Sequence, residues 1–275
     1  YKRMDNIMSN FKDFIGGGGS ASYPTIFLSK SQTWVPFQDG NICIHVIGGG
    51  GGGGVTANNN NFSGGGAGGY TKKNSLAVTT SGSFTVVIGA AGQGGYAATH
   101  GTAGGQTSVS GTGLSAQLRS VGGDEGLSNN SASTRAGGSG NGGDVTNDGG
   151  NGNMFGGGAV GLLGNGQSAF NLSNVPMAGQ VDVLGDFWSS SIGQLAGGPR
   201  SYGTWGNPIA LRSPEIAGPL SGGSAVRNVS YTGNVDTRGG AASIGGGGGG
   251  SRSTSNSWVR GGDGGVGIVV IQYIP

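Results

Sequence analysis

The segment Gly48–Gly54 is an unbroken run of glycine, placed between the alternating stretch NICIHVI and the asparagine-rich stretch VTANNNNF. Glycine loses more conformational freedom on folding than any other residue, so a folded chain that keeps such a run needs a physical use for it. The run also recurs. Glycine-dense blocks occupy Gly64–Gly69, Gly89–Gly95, Gly101–Gly105, Gly122–Gly126, Gly137–Gly143, Gly149–Gly158, Gly245–Gly250 and Gly261–Gly267, and glycine supplies 68 of the 275 residues. With 8 prolines added, the composition enters the range typical of low-complexity or disordered chains. Disorder, however, goes with low hydrophobicity and high net charge. This chain is 33% hydrophobic and 9% charged, with a net charge of +2.

Two uses of repeated glycine can be compared. A collagen triple helix needs glycine strictly at every third position, and GGDEG and GGAGG break that register. An extended helix with three residues per turn and about 3.1 Å rise has no internal hydrogen bonds. A glycine chain in that form keeps every N–H and C=O facing outward and in need of a partner. Several such helices side by side, with no side chains between them, satisfy one another. Many short similar tracts are what such a bundle requires.

Chain order supports the idea. Alternating segments at 42–47 and 84–88, a hairpin-like pair within 106–121 and the closing stretch GIVVIQYI read as strands. Between them the chain makes excursions: a tract, a polar loop, a tract back. The loops are VTANNNNFS, YAATH, LSNNSASTRA and SRSTSNSWVR. A seven-residue tract at about 3.1 Å per residue holds its loop roughly 20 Å from the strands. The glycine tracts are therefore expected to be struts that project loops.

The N-terminal stretch YKRMDNIMSNFKDFI has the spacing of a short amphipathic helix. Met4, Met8, Phe11 and Ile15 form a coiled-coil-like seam with Ile7 and Phe14 beside it. A helix this short is marginal alone, so its apolar face is expected to dock on another chain. GGGGSAS follows as a flexible connector. The division expected is 1–33, helix and linker, and 34–275, glycine-rich domain. A start at Tyr1 with no signal-peptide pattern is expected of a fragment or a processed chain.

The balance of 14 basic to 12 acidic residues gives no electrostatic footprint for nucleic acid. No apolar run approaches the roughly 20 residues needed to span a bilayer, so no membrane insertion is expected. Gly138, Gly140 and Gly143 fit a dinucleotide fingerprint only as chance does in so glycine-rich a chain. GGSGNGGDV is a poor, unrepeated match to a calcium-binding nonapeptide. One cysteine and two histidines do not build a zinc site. Cys43 and His45 share a strand face, but with no orienting third group they read as packed residues. Neither a cofactor nor enzymatic activity is expected.

The succession WVPFQDGNICIHVIGGGGGGG, SFTVVIGAAGQGG and GGDGGVGIVVIQY resembles the glycine-rich domain of T-even-like bacteriophage tail-fibre tip adhesins. The resemblance covers about Trp34 to Pro275. It implies a sandwich of polyglycine II helices whose tip loops bind a receptor on the bacterial surface, and a location at the fibre tip of the virion. Two departures stand out. The N-terminal region is short for a fibre-attachment domain, and the long apolar segment 159–196 blurs the alternation of tract and loop.

The expected fold is a mostly irregular, all-β chain: a bundle of short polyglycine II helices on a small β base, preceded by a short N-terminal α-helix. Aromatic and arginine side chains, which dominate interface hot spots, fall in or near the expected loops. So do asparagines of the kind that makes adaptable binding surfaces. The candidate receptor-binding residues are Asn58, Asn59, Asn60, Phe62, Tyr96, His100, Asn130, Arg135, Trp188, Trp205, Arg252, Trp258 and Arg260. Asp124 and Glu125, inside a tract, are expected to be solvated. The expected partners are a surface receptor (outer-membrane protein or glycan) and either a tail-fibre shaft protein or two further copies of the chain, engaged through the N-terminal seam. The competing expectation is a structural fibre, spike or capsid-surface subunit in which the bundle is only a spacer.

Overall fold

The computed structural model describes residues 23–57, 63–128, 134–152, 160, 164–166, 226–227, 237–238, 244–248, 250–253 and 259–275. Among them lie β1 (Thr25–Leu28), β2 (Gln32–Trp34), β3 (Gly40–Ile47), β4 (Val55–Ala57), β5 (Tyr70–Val78), β6 (Phe84–Val87), β7 (Thr107–Gly111) and β8 (Leu118–Ser120). The remainder are β9 (Gly140–Asn141), β10 (Val145–Asn147), β11 (Val226–Arg227), β12 (Thr237–Arg238), β13 (Ser251–Ser253), β14 (Val259–Arg260) and β15 (Ile268–Ile274).

Two antiparallel five-stranded sheets, β1-β15-β3-β5-β10 and β2-β6-β7-β8-β9, pack face to face. Alternation along each strand sets what lies between them. Ile42, Ile44 and Val46 from β3 join Val269, Ile271 and Tyr273 from β15, against Phe84 and Val86 from β6, Val109 from β7 and Leu118 from β8. Trp34 packs on Phe84 with ring centroids 5.4 Å apart. Gly113, at φ 81°, lies in the connection between β7 and β8, a left-handed conformation suited to glycine.

This corrects the expected fold class. The strands are not a small base under a glycine bundle but a complete two-sheet sandwich with its own apolar core, and the described residues are all-β. No α-helix occurs among the described residues. The N-terminal seam residues Met4, Ile7, Met8, Phe11, Phe14 and Ile15 lie outside them. β1 and the start of β2, ahead of residue 34, are edge strands of the two sheets.

The glycine tracts leave the sandwich at one end. Their hydrogen bonds repeat every third residue. Along the central tract the N–H groups of Gly48, Gly51 and Gly54 donate to Gly69, Gly66 and Ser63; those of Gly49 and Gly52 donate to Gly105 and Thr102; those of Gly50 and Gly53 donate to Gly265 and Gly262. All three acceptor tracts run antiparallel to it. Its carbonyls accept from three parallel tracts, through Gly92 and Gly95, Gly123 and Gly126, and Gly248. Six neighbours thus surround one extended strand with a three-residue repeat, three taking its N–H groups and three supplying its carbonyls. Gly48–Gly54 are all buried, and their backbone polar groups are paired sideways, as burial demands.

Side chains are excluded from the middle of this lattice. A Cβ added at Gly50 would collide with the carbonyl of Gly246, at Gly51 with that of Asp124, and at Gly52 with that of Gln93. On the peripheral tracts, one residue in three faces out. Ala90, Gln93 and Tyr96 are exposed on one tract, Val121 and Asp124 on another, Ala136 and Ser139 on a third, and Asp263 and Val266 on a fourth.

Candidate functional site

Outward tracts end in loops at the pole opposite the sandwich. There the chain turns at 96–99, continues through β4 and β13, and returns through β14. The 96–99 turn is built against its backbone preference: Ala97 and Ala98 both have positive φ, 48° and 68°. Left-handed backbone costs a residue with a Cβ about 1–2 kcal/mol. Thr99 holds the turn, its hydroxyl donating to the Tyr96 carbonyl at 2.7 Å and accepting from the Tyr96 N–H at 2.8 Å.

That turn presents Tyr96, which is 39% exposed. Tyr96 forms an antiparallel bridge with Arg260, whose guanidinium carbon lies 5.7 Å from the Tyr96 ring centroid. An arginine over an aromatic face keeps its planar fork of donors for a ligand. His100, exposed one residue beyond the turn, accepts a hydrogen bond at Nδ1 from the Ser128 N–H at 3.0 Å. This ties two excursions together and leaves Nε2 as the protonated nitrogen of the neutral ring.

Arg135 has a different role from the other candidates. Its Nε donates to the Glu125 carbonyl at 2.8 Å, and its guanidinium lies 3.7 Å from the Asp124 carboxylate and 3.6 Å from that of Glu125. It braces two tracts. Asp124 and Glu125, expected to be solvated, are its partners. Arg252 sits on β13, within the small parallel sheet β11-β13-β4. Asn58, Asn59, Asn60, Phe62, Asn130, Trp188, Trp205 and Trp258 lie outside the described residues.

A second polar group lies in the sandwich, on the face of the first sheet turned away from the shared core. His45 is fully buried, with Nδ1 2.7 Å from the Tyr70 hydroxyl and Nε2 3.3 Å from the Cys43 sulfur. Burial, with the Lys72 charge second, pushes its pKa down to about 3. A neutral imidazole sealed from water cannot act as the imidazolium partner of a thiolate nucleophile. Cys43 is buried as well, so this is a packed hydrogen-bonded group. No cluster of three or more His, Cys, Asp or Glu suited to a metal occurs among the described residues.

The described residues form a three-residue lattice that carries a sandwich at one pole and loops at the other, and the family model described as a glycine-rich domain matches residues 26–274. The chain belongs to the glycine-rich domain family. No curated protein matches it. Within this glycine-rich domain, reasoning from sequence missed the strained 96–99 turn and its Thr99 clasp, because YAATH carries no glycine at the positions with positive φ.

Proposed function

We propose that this glycine-rich domain is a phage tail-fibre tip adhesin that recognises a bacterial surface receptor through the loops at the far pole of its lattice. The observation that carries the reading is the Tyr96–Arg260 pair, an exposed aromatic and an arginine from excursions far apart in sequence, brought together on a turn held in unfavourable backbone geometry. Strain of this kind clusters at ligand-binding sites, and aromatic and arginine side chains supply most hot-spot energy at interfaces. A lattice held by peptide hydrogen bonds on every side suits a rigid mount, because it fixes the loop ends without needing a large apolar core.

The opposite pole fits attachment to a fibre. Phe37 packs on Tyr273 at the end of β15 away from the lattice, with ring centroids 4.9 Å apart. Tyr23, Val35 and Phe37 are exposed in that part of the chain. In this reading the shaft protein or sister copies cover that pole, the receptor meets the other, and the protein sits at the tail-fibre tip of the virion.

The test is attachment of the purified chain to a panel of bacterial strains, beside a Tyr96→Ala/Arg260→Ala variant shown by circular dichroism to be folded. Saturable attachment to a sensitive strain, weakened at least about tenfold in the variant, is expected. Equal attachment by both proteins removes the tip from the recognition surface and favours a structural spacer.

A further inference from the structure

The 96–99 turn has the backbone of a type I′ turn. φ is positive at both central residues, Ala97 and Ala98, and the Thr99 N–H donates to the Tyr96 carbonyl at 3.2 Å. Turns of this type ordinarily carry Asn-Gly, Asp-Gly or Gly-Gly at their centre. Two alanines gain nothing from the shape locally, so it is imposed from outside the pair. The Thr99 hydroxyl clasps it, and the Val55 N–H anchors it by donating to the Thr99 carbonyl at 3.1 Å.

Spare donors gather around this turn. The Ala97 and Ala98 N–H groups donate to no acceptor among the described residues. One residue beyond the turn, the Nδ1 atom of His100 is filled by the Ser128 N–H, so the ring offers its own N–H at Nε2. Arg260, bridged to the first residue of the turn, is exposed, and its guanidinium has no hydrogen-bond or ion-pair partner among the described residues. Asp263 stands three residues further along, about 9 Å at the rise of an extended three-fold helix, and its carboxylate already accepts the Gly94 N–H.

A guanidinium held over an aromatic face keeps its planar fork of donors, and one fork matches the two oxygens and single charge of a carboxylate. Beside it, the partly exposed Tyr96 ring supplies an apolar body with a polar tip, a surface suited to the face of a sugar ring. We infer that the 96–99 turn and Arg260 form a binding site for the carboxylate of an acidic sugar. The inference rests on the adhesin reading for its biological setting and narrows it: the receptor feature recognised at this pole is an acidic glycan on the cell surface.

The experiment titrates the full chain with trigalacturonic acid by isothermal calorimetry, and in parallel with its methyl ester and with an Asp/Glu-rich peptide. One saturable trigalacturonate site is expected, weakened by added salt. The methyl ester keeps the sugar and loses the charge, so it should bind at least about tenfold more weakly. Arg260→Gln should lower the trigalacturonate affinity by a similar factor, and Arg260→Lys, which keeps the charge and loses the fork, should fall between. Lys30→Gln, which removes an exposed charge between β1 and β2, leaves it unchanged. No saturable site, equal binding of the ester, tighter binding of the acidic peptide, or a folded Arg260→Gln variant that binds as the parent does each overturns the inference. Cell attachment separates the two readings. Attachment by a chain that does not bind trigalacturonate sinks the acidic-sugar site and leaves the adhesin, whereas trigalacturonate binding without attachment to any strain does the reverse.

Discussion

The sandwich and the glycine lattice bury their backbones equally well by opposite means. In the sandwich, Ile44, Phe84, Val109 and Ile271 fill the space between two sheets, and the hydrophobic effect supplies the stabilisation at about 25 cal/mol per Å² of apolar surface removed from water. In the lattice there is almost no apolar side chain to bury. Its interior is peptide groups, with the central strand bonded to neighbours on all sides. A typical intramolecular hydrogen bond contributes only about 0.5–1.5 kcal/mol net, and glycine adds an entropic penalty of roughly 0.5–1 kcal/mol per residue relative to alanine. The lattice therefore holds only as a set of many mutual bonds, and it depends on the sandwich to bring its tracts into register. One region tolerates imperfect side chains and the other tolerates none along its central tract.

The largest effect should come from adding the smallest side chain to the lattice. Gly51→Ala drives a methyl group into the Asp124 carbonyl, which the Gly66 N–H holds in place, on a tract tied to the central strand through Gly123 and Gly126. A loss of about 3 kcal/mol or more is expected, at or above the upper end of overpacking effects, read as a lower melting temperature. Gly164→Ala, where an added Cβ meets nothing within 4 Å, should stay within about 0.5 kcal/mol of the parent.

In the sandwich the matching change is removal, not addition. Ile44→Ala should cost about 2–5 kcal/mol and Ile44→Val about 0.5–1.5, measured by urea unfolding. If Ile44→Ala costs much more than Gly51→Ala, the lattice is an appendage of the sandwich and not a second core.

Titration separates the regions further, because the buried histidine belongs to the sandwich alone. The folded pKa of His45, about 3, lies below its unfolded value of 6.5. Between those values the unfolded chain binds the proton and the folded one does not. Stability is fully present above 6.5 and is lost as the pH falls toward 3, by up to about 1.4 kcal/mol per pH unit. Urea midpoints across that window should show the slope, and His45→Gln should flatten it. A slope that survives the substitution would place the titrating group elsewhere.

A small effect is expected at the Lys73–Asp144 pair. The register of β3 with β5 shifts between Ile42 and Ile44, a bulge, and Asp144 takes the Asn74 N–H at 2.8 Å and the Lys73 ammonium at 2.8 Å. The Lys73 hydrogen bond, then that of Asn74, holds the Asp144 carboxyl below its ordinary pKa. The pair is exposed to solvent, so Asp144→Asn should cost no more than about 1 kcal/mol, visible as a small shift in urea midpoint that shrinks with salt.

Much of this arrangement was legible in the sequence, and the losses have definite causes. NICIHVI and GIVVIQYI alternate because β3 and β15 lie in a sheet, and the order of strand, tract and loop follows the chain back and forth. What the alternation did not reveal is that the far face of β3, with Cys43, His45 and Ile47, is buried too. The size of the strand layer was also hidden, because β9 and β10 are too short to carry a period. A signal for the lattice was present but overlooked: non-glycine residues recur three apart at Ala90, Gln93 and Tyr96, at Val121, Asp124 and Leu127, and at Asp263 and Val266. One face in three of these peripheral strands looks outward, and their side chains sit there. Within the candidate site, Tyr96 and Arg260 were legible as residue types near loops, and His100 as an exposed contact. Their partners were not, since a ring–guanidinium contact between residues 96 and 260 arises only once the lattice has folded.

Hydrogen exchange at the central tract tests the lattice most directly. Glycine amides without partners exchange fast, and nothing but hydrogen bonding in a stable core slows them. The amides of Gly49–Gly53 should be protected to nearly the same degree as those of Ile44 and Val46, opening only with global unfolding. Exchange of Gly49–Gly53 at the rate of an unstructured chain, while β3 stays protected, would contradict a core built from peptide groups.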